Sequence, residues 1–354
     1  MTDFLIVGNG LASNVLAHTF KNYNITFNQI GNSTLSNCSY AAAGIWNPIV
    51  FKRMTKSWLA DELINFLVPF YTNIQTQFKQ QIITHRPILK SFFEEQEKTL
   101  WLKKAEGELE YFLDKTIYTL PPNTFKNSKI TSEYSFVKKC GNLDVAAFIL
   151  GSNKLFVDFF KDETFNYENL KIENDFILYK NKTYKNIIFA EGHLVKNNPF
   201  LNWIPLKPAK GEIITIKSSE IEIENTIINK NGFIFNTTAN TFNVGATYEW
   251  ADLTDNPTQK AKAELEQKLT HLITGNYQII NHQAGIRPSS IDRRPIIGTH
   301  PKHKNLHIFN GLGTKGVMLA PYFANNFVLF YQQKKELIKE IDVKRFYKLF
   351  DYGI

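Results

Sequence analysis

Cysteine, long apolar runs and early acidic residues are all scarce in this chain. Only Cys38 and Cys140 occur among its 354 residues, so no disulfide framework stiffens the fold, and a cytosolic location is expected. The longest apolar stretch, around 317–330, is interrupted by Pro321, Asn325 and Asn326, so no segment of about 20 apolar residues is available to cross a bilayer. The chain opens on Met-Thr-Asp and runs straight into apolar residues, without the basic segment that heads a secretory signal. No Asp or Glu lies between Asp3 and Asp61. Internal repeats and low-complexity linkers are missing too, and no metal site is expected. What is present is a globular balance of 43% hydrophobic and 21% charged residues with a formal charge of +8. Such a charge suits a polyanionic partner. The lysines are diffuse, however, and no basic run is interleaved with aromatics, so compositional drift is the favoured reading and a nucleic-acid partner is not expected.

The amino terminus carries the first functional pattern. Phe4-Leu5-Ile6-Val7 reads as a buried parallel strand. Gly8-Asn9-Gly10-Leu11-Ala12-Ser13 follows, then a helical stretch over 11–20 and a second strand over 25–30. Strand, glycine turn, helix and strand form the context of a dinucleotide-binding unit. Gly8 permits the tight turn. Gly10 lets the backbone approach a pyrophosphate, and the helix amino terminus offers it free N–H groups. Two residues depart from the motif. Ser13 replaces the third glycine. Gln29, 21 residues after Gly8, stands where an acid is expected to hold the ribose hydroxyls. An amide serves there less strongly than a carboxylate.

Further landmarks follow in order. Tyr40-Ala41-Ala42-Ala43-Gly44 allows close backbone approach to a flat ligand, or starts a tightly packed helix. Ile187-Ile188-Phe189-Ala190-Glu191-Gly192 is a buried strand ending in small residues. Gly285-Ile286-Arg287-Pro288 comes near the carboxyl end. The strand Leu306–Asn310 then runs into Gly311-Leu312-Gly313-Thr314-Lys315-Gly316, with an apolar helix from about Val317, a second anion-binding helix start.

In this order the motifs resemble the D-amino-acid-oxidase family of FAD-dependent oxidoreductases, with its glycine-oxidase and sarcosine-oxidase branches. The resemblance covers nearly the whole chain and takes in Ser39–Gly44, Gly141-Asn142-Leu143-Asp144, Pro208-Ala209-Lys210-Gly211-Glu212 and Val244-Gly245-Ala246-Thr247. It implies an α/β fold: a Rossmann-like FAD domain over 1–85, 141–200 and 282–354, and a mostly antiparallel substrate domain over 86–140 and 201–281. Antiparallel strands are expected at 213–216, 233–236 and 242–246, the last two joined by a turn at 237–241. An amphipathic helix containing 264–272 is expected to end at Gly275-Asn276.

The resemblance also implies a site. Non-covalent FAD would lie along Gly8, Gly10, Leu11, Ala12, Ser13, Gln29, Ser39, Ala42, Ala43, Gly44, Ala190 and Gly192, and along Gly311, Gly313, Thr314, Lys315, Gly316 and Val317. Arg287 would bind a substrate carboxylate as a bidentate fork, or else pair with a loop acid such as Asp292. Backbone N–H groups of 314–317, with the Lys315 side chain as a further candidate, would stabilise negative charge on reduced flavin. Phe233, Tyr248 and Trp250 would wall the substrate. The matching sarcosine-oxidase lysine falls near Asn243. Arg53 and Lys56 read as a solvated face. The implied reaction is oxidation of a C–N bond in a small carboxylate-bearing amine by hydride transfer to flavin N5, with no side-chain base if the amine binds neutral. A modified tRNA base, a 2-hydroxy acid, and flavin binding without turnover stay open.

Overall fold

The structure is a computed structural model and describes residues 1–33, 38–119, 125, 127–130 and 133–351, the last without its side chain. Two eight-stranded sheets dominate it, both mixed. At the centre of the first, β1 (Thr2–Val7) lies parallel to β2 (Phe27–Ile30) on one side and to the strand Lys182–Phe189 on the other. Leu306–Asn310 joins parallel to the end of that strand. Val7 is in register with Ile30 and with Phe189, and Phe189 with Ile308, so all four strands end at one edge. Their side chains explain the position: Phe4, Leu5, Ile6, Ile187, Ile188 and Ile308 are fully buried, as strands covered on both faces must be. Helix α1 (Leu11–Asn22) and the helix Gly316–Tyr331 pack together over one face.

The second sheet runs in the order Gln278–Arg287, Ala209–Lys217, Thr241–Gly245, Phe233–Thr238, Ile227–Asn229, Ile88–Ser91, Glu133–Val137 and Tyr118–Thr119. All neighbours are antiparallel except Ile227–Asn229 with Ile88–Ser91. The three expected strands are here, and the hairpin turn is the shorter pair Ala239-Asn240. Strand Gln278–Arg287 pairs with Ala209–Lys217 along its whole length, so a boundary at 281/282 falls inside a strand, and sheet membership changes only after Arg287. The helix Gln259–Thr270 stops before Gly275. The next residues are diverted into pairing: Leu272 O accepts from Lys129 N–H at 2.7 Å and Thr274 N–H donates to Asn127 O at 2.7 Å.

The apolar helix Gly316–Tyr331 passes through Pro321 without stopping. Proline removes the donor that would serve the carbonyl four residues back. That carbonyl, Val317 O, accepts instead from the buried Tyr71 hydroxyl at 3.2 Å. No helix among the described residues is long and apolar enough to cross a membrane.

Candidate functional site

At the edge where the parallel strands end, the chain turns at Gly8, whose φ of +132° suits glycine alone. Helix α1 then starts with Gly10 as its cap, which has no side chain to offer, and carries no acid in its first turn. Its amino end is therefore electropositive. The Leu11 N–H donates to Ser39 Oγ at 3.0 Å, which ties the small-residue segment to this helix start. That segment forms a turn rather than a helix, because Ile45–Trp46 is drawn into a strand directly afterwards. Ser13 is fully buried, donates to Gly10 O at 3.0 Å and packs beneath Gly8, so its contribution is helix-to-strand packing and not wall.

A cavity of about 390 Å³ follows this edge. Gly8, Gly10, Leu11 and Ala12 line it from the first turn, Ile30, Gly31 and Asn32 from the end of β2, and Ala190, Glu191 and Gly192 from the next strand. Gln29 does not. Its side chain is 1% exposed and donates from Nε2 to Gly8 O at 3.0 Å, bracing the turn from behind. Gln29 shares its face of β2 with Gly31, but its amide is taken by the Gly8 carbonyl instead of turned into the cavity, and the expected ribose contact is corrected accordingly.

A second cavity, of about 260 Å³, shares Leu11, Cys38, Ser39, Gly313 and Gly316 with the first, so the two form one cleft. Ala42, Ala43 and Gly44 line one side of it, and Thr314 and Val317 border the start of the 316–331 helix. This helix also begins without a side-chain cap or an acid in its first turn. Gly311, at φ +73°, shapes the turn before it and lines neither cavity. The opposite wall comes from the second sheet: Ile88, Ile213, Ile227, Asn229, Phe233, Tyr248 and Arg287. Cys38 sits in the seam, and burial pushes its thiol up to about 11, so it stays protonated.

Arg287 ends the strand Gln278–Arg287 inside this wall. Its Nη1 donates to Thr247 O at 3.1 Å and Lys210 O at 3.3 Å, and the guanidinium lies over the Tyr248 ring, 4.4 Å from its centroid. Gly211 gives it room, since a Cβ there would run into the guanidinium. Desolvation holds Arg287 below the usual guanidinium range. Among the described residues no carboxylate pairs with it. Asp292 goes instead to Arg345, at 2.8 Å. The arrangement presents a half-buried, fixed cation to a mostly apolar chamber.

Other expected residues lie elsewhere. Lys315 lines neither cavity, and its Nζ donates to Ser57 Oγ at 2.6 Å. Trp250 is exposed and stacks on Tyr248 outside the wall. Asn243 accepts from Thr215 Oγ1 at 3.0 Å within the sheet. Arg53 is exposed and Lys56 pairs with Asp61, so both belong to the solvated surface. Two features went unread in the sequence. Lys210, fully buried, donates to Asp252 Oδ2 at 2.7 Å and Asn256 O at 2.6 Å, while Glu212 accepts from Thr258 N–H at 2.9 Å. Together they pin the segment after Tyr248. The second feature is Glu191 with Tyr167 and Asn198, at the far end of the cleft. A lysine and an acid inside apolar strands were the available signals.

The residues of the cleft suit an extended dinucleotide. Glycines allow close approach at both helix starts, an added Cβ at Gly192 would meet nothing nearer than 4.0 Å, and two electropositive helix ends face one channel. Comparison with known proteins agrees. The family described as "DAO: FAD dependent oxidoreductase" matches residues 3–327. Glycine oxidase of Pseudomonas putida is 29% identical over 120 residues, 33% of either chain. Glycine oxidase of Bacillus subtilis is 27% identical over 127 residues, 35% of this chain and 33% of the relative. These alignments thus span about a third of the relatives' length. Solved structures similar in fold include glycine oxidase from Bacillus cereus (TM-score 0.75, 17% identity, covering 95% of this chain and 96% of that one). Another is L-proline dehydrogenase from P. horikoshii (TM-score 0.75, 14% identity, 98% of both chains).

Proposed function

Because the chain belongs to the DAO family of FAD-dependent oxidoreductases, we propose that it oxidises the C–N bond of a small amine bearing a carboxylate. The observation that carries this reading is Arg287: a half-buried guanidinium with no acidic partner among the described residues, the one charged side chain lining a mostly apolar chamber. A carboxylate is the ligand that a guanidinium fork takes best. When bound, the flavin supplies the two-electron acceptor for the carbon next to nitrogen and passes the electrons to oxygen or another acceptor.

The chain's own residues do the rest. Arg287, fixed by two backbone carbonyls and the Tyr248 ring, orients the substrate. Ile88, Ile213, Ile227 and Phe233 exclude water from the reacting carbon. The start of the 316–331 helix favours negative charge at its end of the chamber. No His, Asp or Glu lines this chamber among the described residues, and the Cys38 thiol is no base. The amine therefore enters neutral, and flavin reduction speeds up as pH rises through the ammonium pKa of the substrate.

The test is an anaerobic absorption titration of the purified flavoprotein with pooled amino acids and N-methyl amino acids. Bleaching of the oxidised-flavin bands by one pool is expected. Bands unchanged by every carboxylate-bearing amine overturn the reading.

A further inference from the structure

The nucleotide motif expects an acid at the end of the second strand, and the end of β2 carries none. β2 ends in Ile30-Gly31-Asn32. Gly31 is pressed against the first turn: a Cβ there would lie 2.5 Å from Gly8 C and 2.6 Å from Asn9 N, so no side chain fits. The Gln29 amide is taken by the Gly8 carbonyl, as described above.

We propose that Glu191 is the carboxylate that holds the adenosine end of the cofactor, in place of the missing acid. Among the described residues it is the one acid lining the larger cavity. It follows the strand Lys182–Phe189, which ends beside β1, level with the glycine turn. Its carboxyl is oriented by two partners: Oε1 accepts from the Tyr167 hydroxyl at 2.5 Å, and Oε2 from Asn198 Nδ2 at 2.8 Å. Asn198 is fully buried, while Tyr167 lines the same cavity. Each carboxylate oxygen keeps acceptor capacity for a further donor. Adenosine brings such donors, its ribose hydroxyls and adenine amino group, and a charge-assisted bond to a carboxylate is the strong way to take them.

Protonation gives this assignment a signature. Burial pushes Glu191 up to about 7, against the opposing pull of Tyr167 and Asn198. The titratable neighbours do not obscure it. Burial and Glu191 push the Tyr167 hydroxyl far upward. Burial holds His193 below the usual imidazole range, with Asp255 raising and Lys196 lowering it. Donors arriving from adenosine favour ionised Glu191, so FAD binding near pH 7 releases protons and tightens as pH rises.

The inference rests on family membership and not on the identity of the substrate. It is tested by calorimetric titration of the apoprotein with FAD and with FMN, which lacks the adenosine, between pH 6 and 8 in two buffers of different ionisation enthalpy. Native protein is expected to release protons and bind FAD more tightly at pH 8, while FMN follows only the titration of its own phosphate monoester, at about pH 6. Glu191→Gln is expected to weaken FAD roughly 10- to 100-fold at pH 8, to abolish the pH dependence, and to leave FMN unchanged. FAD affinity independent of pH without proton release, or a folded Glu191→Gln protein that matches the native one, overturns the proposal. The measurement on native protein decides the matter even if the variant fails to fold. Either failure leaves amine oxidation untouched, since that reading stands on flavin bleaching.

Discussion

The two ends of the cleft are made of different materials. The nucleotide end is chiefly backbone: a glycine turn, two helix starts whose own N-cap side chains make no bond to the helix, and the small residues Ala190 and Gly192. The substrate end is chiefly side chains, contributed by strands at 88, 213, 227, 233 and 287 that meet only in the folded sheet. Backbone sites need glycines at fixed local spacing, and that spacing is visible in a sequence. Side-chain walls assembled across a sheet leave no local pattern.

Breaking the substrate end alone is expected to give the largest effect. Arg287→Leu removes the only charged side chain lining the smaller cavity, among the described residues. Loss of a hydrogen-bonded charged anchor costs about 3–4 kcal/mol in transition-state binding. Flavin reduction per unit substrate therefore falls roughly 100- to 1000-fold, measured by anaerobic stopped-flow, while the flavin-to-protein absorbance ratio holds. Loss of flavin from this variant would mean that the two ends are not separable.

The division also sorts what was legible. The parallel strands, the glycine turn and the antiparallel strands were readable because periodicity and spacing are local properties, whereas Arg287 was singled out only by the family resemblance. Gln29 was misplaced because residue spacing does not show that its amide is taken by the Gly8 carbonyl. The structure turns that position behind the turn and leaves Gly31 against it. The end of the helix Gln259–Thr270 was misjudged because residues 127–129, more than a hundred positions earlier, recruit its continuation. Lys210 could not be read as buried, because its partners Asp252 and Asn256 lie in a loop forty residues away.

Gln29→Glu sharpens the comparison at the nucleotide end. The motif alone expects an acid there to improve FAD binding. The structure expects the reverse, since the substitution replaces the donor to Gly8 O with an acceptor in a position 1% exposed. An unsatisfied buried pair costs about 1–3 kcal/mol. FAD affinity, followed by flavin fluorescence quenching, should fall about tenfold and thermal stability should drop. Tighter binding would return Gln29 to the ribose. A smaller change is expected at the other end from Lys210→Met, which frees the segment after Tyr248. KM should rise about fivefold in steady-state assays, with FAD affinity unchanged.

The smallest effect is expected from Lys315→Met, which asks where the boundary between the two materials lies. Lys315 stands at the residue before the helix whose start borders the substrate chamber, where the family resemblance raised a side-chain charge acting on the flavin beside the backbone role. Its Nζ is turned away, however, and donates to Ser57 Oγ at 2.6 Å. Burial, with Arg294 nearby, lowers its ammonium below the usual lysine range. If the helix start acts through backbone N–H groups, removing this ammonium changes the rate of flavin reduction less than about threefold, and its cost appears in thermal stability through the lost Ser57 contact. A fall of a hundredfold with stability preserved would show that a side-chain charge, not the backbone, dominates at this helix start, and the backbone-built region would then end at Gly313.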